Sequence, residues 1–210
     1  MNKLIKAIFL TTILSVSIFA QTDTDEYKKN EFYGGYSNQQ VDNFDRQTFN
    51  GFETAYVRNI RRYVGIKADF SAAYRNDDFS SPVFGTPSST SSGVIRGETD
   101  RSVYNFLGGV QFKDNASKAR FKPFAHVLAG AAHLRFKTKN ITCISGTCPP
   151  FISPNSTFSD TGFSAAFGGG LDIKLSDRVD FRAFQVDYNP IRAGGRWNNN
   201  VRFGVGFVFK

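Results

Sequence analysis

The sequence predicts an all-β fold, an eight-stranded antiparallel up-and-down barrel that crosses a membrane, and three observations predict it. The last ten residues alternate strictly, with Val201, Phe203, Val205, Phe207 and Phe209 on one face and Arg202, Gly204, Gly206, Val208 and Lys210 between them. Similar segments recur along the chain, separated by connections that run long, short, long, short. The chain also opens on an export leader: Lys3 and Lys6, an uncharged apolar run from Ala7 to Phe19, then Ala20. A strand with one apolar face buries it in a core or presents it to lipid. After the leader no apolar run is long enough for a membrane helix, so a membrane location requires a closed barrel.

The leader covers residues 1–20, with cleavage expected near Ala20. A membrane-anchoring helix fits less well, because the run is short and Thr11, Thr12, Ser15 and Ser17 interrupt it. Residues 21–30 form a short periplasmic segment and 31–210 one barrel domain. Loss of Lys3 and Lys6 takes the formal charge from +8 to +6. In an exported chain that basicity points to an anionic lipid surface rather than to nucleic acid. The 23 Phe, 8 Tyr and 19 Gly, against one Met and one Trp, agree with an all-β chain.

Strand one spans Glu31 to Asn38, with Phe32, Gly34 and Tyr36 on one face, and a polar connection Gln39 to Asn50 follows. Strand two, Gly51 to Arg58, reaches a tight turn at Asn59 to Arg62. In strand three, Tyr63 to Arg75, the residues Val64, Ile66, Ala68, Phe70, Ala72 and Tyr74 oppose Lys67, Asp69, Ser71 and Arg75. Asn76 to Gly97 is rich in Ser, Pro, Gly and Thr, lacks periodicity and is expected to be a mobile loop. Strand four, Asp100 to Lys113, groups Tyr104, Phe106, Gly108, Val110 and Phe112, and a short turn Asp114 to Ala119 follows. Strand five, Phe121 to Lys137, leads into a long loop, Thr138 to Asp160. Strand six, Thr161 to Lys174, sets Phe163, Ala165, Phe167, Gly169, Leu171 and Ile173 against Ser164, Gly168, Asp172 and Lys174. After the turn at Ser176 to Arg178, strand seven runs from Val179 to Tyr188, and the loop Asn189 to Asn199 enters strand eight.

Three tight turns and four long connections place both termini on the turn side, the periplasm. A cation on the lipid face at mid-bilayer costs ~2–4 kcal/mol, so the charged faces point inward. Strands five and seven strain this rule. Phe124, Leu128, Leu134 and Phe136 share their parity with His126, and Phe184, Val186 and Tyr188 share theirs with Asp180 and Arg182. Snorkelling or a bulge near the periplasmic ends would accommodate the charges.

The leader, the phrase Val-Asp-Phe-Arg-Ala-Phe-Gln-Val-Asp-Tyr at 179–188, the Gly-Gly-Gly-Leu-Asp at 168–172 and the alternating last strand together resemble the small eight-stranded outer-membrane barrels. That group contains the membrane domain of outer membrane protein A and its single-domain relatives. The resemblance covers essentially the whole mature chain and implies a monomer in the outer membrane of a Gram-negative-type bacterium. It implies contact with outer-membrane lipid, lipopolysaccharide and the assembly machinery. The final strand, Val201, Phe203, Val205, Phe207 and Phe209, resembles the family's insertion signal, although Lys210 follows Phe209. The fold itself is shared by adhesins, structural proteins and lipid enzymes, so it does not select among them.

Eight strands enclose an interior just wide enough for side chains. The expected polar lumen is Glu53, Lys67, Asp69, Asp172, Lys174, Gln185, Asp187 and Arg202, mutually paired as a plug because buried charges need partners. A narrow gated pore is the sharper alternative. Cys143 and Cys148 read as a small disulfide ring in the third long loop, worth ~2 kcal/mol at most. Two thiols alone do not complete a metal site. No cofactor is expected. A lipid A-modifying enzyme would need His126 or His133 near a Ser and a carboxylate, but Val127-Leu128 and Leu134-Arg135 follow these histidines, where deacylases carry a His-x-Ser-Asn phrase. Gly168-Gly169-Gly170 lies inside a strand and is no phosphate loop, and a faint RNA-binding echo at Gly204-x-Gly206 conflicts with export. A soluble lipocalin-like barrel would invert the faces. The favoured function is a non-enzymatic barrel with a structural role or with adhesion through its loops, where Phe151 and Trp197 are candidate contact aromatics.

Overall fold

Eight strands follow one another around a closed antiparallel ring in chain order. The computed structural model describes residues 27–41, 47–84, 92–146 and 155–210. The strands are β1 (Asn30–Val41), β2 (Gln47–Asn59), β3 (Val64–Phe84), β4 (Ser92–Lys113), β5 (Phe121–Gly146), β6 (Ser156–Lys174), β7 (Val179–Ala193) and β8 (Arg196–Phe209). Closure is made by β8 against β1, with Phe32 opposite Phe209 and Val41 opposite Asn200. Every strand backbone therefore has partners on both sides, which a hydrocarbon environment demands.

The faces follow from the same solvent. Ile66, Phe106, Val127, Phe167, Phe203 and Phe207 are large apolar side chains left exposed on the outside, while Glu53, Lys67, Asp172 and Arg202 are buried within. This is the reverse of a soluble binding barrel. Tyr36, Tyr74, Tyr104 and Tyr188 mark the upper edge of the outer apolar band, and Tyr56, Tyr63, Phe112, Phe121 and Phe209 mark its lower edge.

At the periplasmic end the expected strand boundaries lie within a residue of those found. At the other end the strands run further than the sequence pattern indicates. Much of the expected loop is strand: β3 and β4 stay paired from Asn76 opposite Asp100 to Phe84 opposite Ser92, and residues 85–91 lie outside the described residues. The segment Thr138 to Asp160 continues β5 to Gly146 and starts β6 at Ser156. Asn189 to Asn199 is a hairpin closed by Gly194 and Gly195, both at positive φ (57° and 75°). Outside lipid both faces of a hairpin meet water, so pairing persists without an alternating sequence.

Strands five and seven resolve differently. In β5 the large residues Phe124, Leu128 and Leu134 and the polar His126 all face inward, and the lipid side carries Pro123, Ala125, Val127 and Ala129. No snorkelling is involved. In β7 the register shifts between Arg182 and Gln185. The bulge lets Phe181 and then Phe184, Val186 and Tyr188 face out, while Asp180, Arg182, Gln185 and Asp187 face in.

Candidate functional site: a layered lumen

The inward side chains sort by height into an ionic column, an amide layer and an apolar chamber. At the centre of the column Arg202 donates from Nη2 to Asp187 Oδ2 at 2.7 Å and from Nη1 to Asp69 Oδ1 at 2.9 Å and Ser71 Oγ at 3.0 Å. Lys67 Nζ lies 3.0 Å from Asp69 Oδ2 and 3.6 Å from Glu53 Oε1. Gln185 Nε2 donates to both Glu53 and Asp187 at 2.8 Å, and His126 Nε2 is 2.9 Å from Asp187 Oδ1. These groups come from β2, β3, β5, β7 and β8, so the cluster ties the ring together across its diameter.

Nearer the periplasm, Arg182 donates to Asp172 Oδ1 at 2.8 Å and Gln185 Oε1 at 2.7 Å. Its guanidinium carbon sits 4.3 Å from the Tyr33 ring centroid and 3.9 Å from that of Phe124. The planar cation is thus stacked as well as paired. Gly204 leaves the room this needs: a Cβ there would approach the Tyr33 hydroxyl to 3.1 Å. Lys113 joins Glu31 and Asp172. Lys210 joins the fully buried Asp180, and its backbone N–H donates to Arg178 O at 2.9 Å, so the residue after Phe209 closes the column rather than trailing from it.

Above Arg202 lies a layer of neutral groups. Gln39 donates to Asn189, Asn189 to Ser164, Ser164 to Asn105 and Asn105 to Ser71, over 3.0–3.3 Å. Higher still, Val41, Phe49, Ala73, Val103, Ala132, Leu134 and Ile191 form an apolar belt. It surrounds a cavity of about 450 Å³ at the extracellular mouth, with Gln47 and Arg101 at the rim.

Of the expected lumen residues, the structure brings Glu53, Lys67, Asp69, Asp172, Gln185, Asp187 and Arg202 together inside. Lys174 is not among them: it is partly exposed at the periplasmic turn, 2.6 Å from Asp177. Sequence reasoning missed Glu31, Tyr33, Lys113, Lys122, Asp180 and Arg182 as members of the column. Inward parity was the available signal for Lys113; for Arg182 the bulge hid it. Trp197 is exposed on the outer face two residues past the turn at Gly194 and Gly195, where it packs edge-on against Phe163. Phe151 and Cys148 lie outside the described residues. Cys143 is disulfide-bonded. His133 Nδ1 is 2.8 Å from Thr161 Oγ1 on the outside of the barrel, far from the interior His126.

An eight-stranded ring with lipid-compatible side chains outside and charge inside defines a transmembrane β-barrel of the outer membrane. Residues 7–209 match the family described as outer membrane protein beta-barrel domain, and the chain belongs to it. No curated protein matches the sequence. The fold is similar to that of Ail, the attachment invasion locus protein of Yersinia pestis, with 16% identity and a TM-score of 0.50, over 86% of this chain and 97% of that one. A second structure of Ail, with the heparin analogue sucrose octasulfate, gives 0.51. Neisserial surface protein A is similar with 10% identity and a TM-score of 0.50, over 88% of this chain and 99% of that one. At these identities the likeness speaks for the fold.

Proposed function

We propose that this protein is a non-catalytic outer-membrane barrel that acts through its extracellular hairpins, which bind polyanionic surfaces. The observation that carries the reading is the extent of those hairpins. Beyond Tyr74 and Tyr104 the strands β3 and β4 stay paired as far as Phe84 opposite Ser92. At ~3.3 Å per residue those ten residues project up to about 30 Å from the lipid.

Their charge supports the choice of partner. Lys139 pairs with both Glu98 (3.5 Å) and Asp100 (2.8 Å), and Arg75 pairs with Asp77 at 2.6 Å, so these three acids are occupied. Arg96, Arg135, Lys137, Arg192 and Arg196 are exposed and make no ion pair among the described residues. Arg135 and Lys137 lie two apart on the outer face of β5, with Arg192 and Arg196 on the β7–β8 hairpin. Exposed cations above the lipid suit lipopolysaccharide phosphates and sulfated glycans alike. Ail, crystallised with a heparin analogue, supports the same class of ligand here.

The test is retention of the refolded chain on immobilised heparin, with sucrose octasulfate as competitor. Wild type should bind and be released by salt, as screening requires. The combined variant Arg135→Gln, Lys137→Gln, Arg192→Gln, Arg196→Gln should bind at least tenfold more weakly. Equal retention of the two proteins would refute the reading. Lipid A mass spectra should be unchanged on expression, whether or not His133→Ala is present.

A further inference from the structure

We infer that the chamber in the extracellular half of the lumen is a binding site for a small organic acid with an apolar body, a medium-chain or aromatic carboxylate. This reading concerns the inside of the barrel and is independent of the cations on its outer face.

The chamber's volume, about 450 Å³, is that of a small-molecule pocket. Val41, Phe49, Val103, Leu134, Phe136 and Ile191 make up the apolar half of its lining, and polar residues, Asn200 and Arg101 among them, make up the rest. Two polar groups, Asn200 on β8 and Arg101 on β4 across the barrel from it, are nevertheless left wanting. Asn200 is 1% exposed and lines the chamber, yet neither its amide nitrogen nor its amide oxygen has a partner. A buried amide in that state costs ~1–3 kcal/mol, which a bound group would offset. Gln39, Asn105 and Asn189 in the layer just below are all bonded, so Asn200 stands apart from them. Gln111, the other buried amide without a partner, lies opposite His126 in the ionic half, away from the chamber.

The second group is Arg101. It lines the chamber, bonds through Nη1 to Gln47 Oε1, and has an Nε that is buried and unbonded. Its nearest carboxylate, Asp77, is 3.8 Å away and already held by Arg75 at 2.6 Å. Two guanidiniums share one carboxylate there, and no Asp or Glu lines the chamber. The local field therefore selects an anion. The walls select one whose remaining surface is apolar, since a compact, strongly hydrated dianion would lose its hydration against Phe49 and Leu134 without replacement. A carboxylate accepts from Arg101 in the fork geometry that guanidinium favours.

The experiment follows decanoate binding to the full chain refolded in phosphatidylcholine nanodiscs, by NMR of the Asn side-chain amides. The expected result is a saturable one-to-one shift of the Asn200 amide, with decanol binding at least tenfold more weakly. Arg101→Gln should weaken decanoate at least tenfold and leave decanol unchanged. Leu134→Trp and, separately, Val103→Phe fill the chamber and should abolish both. Non-saturable partitioning that is the same in wild type and in whichever filled variant folds would overturn the assignment, as would equal decanoate affinity in Arg101→Gln. Folding of each variant is read from its unboiled gel migration.

Discussion

The two halves of the lumen are built by the same eight strands and filled in opposite ways. Below the amide layer, six carboxylates (Glu31, Glu53, Asp69, Asp172, Asp180 and Asp187) face six cations (Lys67, Lys113, Lys122, Arg182, Arg202 and Lys210). Above it an apolar belt, with Gln47, Arg101 and Asn200 beside it, leaves open space. The lower half shows what a narrow barrel does with charge it cannot hydrate: it matches the signs and shares partners, Asp172, Asp180, Asp69 and Glu53 each meeting two cations. Shared partners make that half sensitive to single changes. The upper half opens toward water at its rim and has no such obligation, so it has room for an occupant.

The largest expected effect follows from the shared partners. Arg202→Met removes the cation that holds Asp69 and Asp187 together. Leaving buried charges uncompensated should cost about 3–5 kcal/mol, measured by urea unfolding in lipid vesicles. A loss under 1 kcal/mol would mean that water already screens the column. The next effect tests the outer face. Val127→Arg, midway along the membrane-embedded part of β5, should cost ~2–4 kcal/mol in the same assay. The smallest lies at the periplasmic turn: Lys174→Gln breaks an exposed pair with Asp177 and should leave the unfolding midpoint unchanged.

The same contrast explains what was legible in the sequence. Strand β8 announces itself because from Val201 onward its outward positions are all apolar while its inward ones include Gly204, Gly206 and Arg202. Strand β5 does not, since both of its faces carry apolar residues, and through most of the membrane the lipid side holds the smaller ones, Pro123, Ala125, Val127 and Ala129. Arg182 escaped because a bulge changes the parity between it and Gln185. The extracellular hairpins escaped because a strand wetted on both faces has no reason to alternate. The ionic column was foreseeable from charged residues at inward parity. The apolar chamber was not: Val41, Phe49, Val103, Leu134 and Ile191 come from five strands, and only closure of the ring brings them together.

The division of the lumen is tested most directly by a cysteine scan along one strand. Single cysteines at the inward β4 positions Arg101, Val103, Asn105, Leu107, Gln111 and Lys113, in a background lacking Cys143 and Cys148, are exposed to a small membrane-impermeant thiol reagent from the extracellular side only. The account predicts rapid labelling at positions 101 and 103 and none from 105 downward. Labelling that continues to position 113 would contradict it, as would protection at 103.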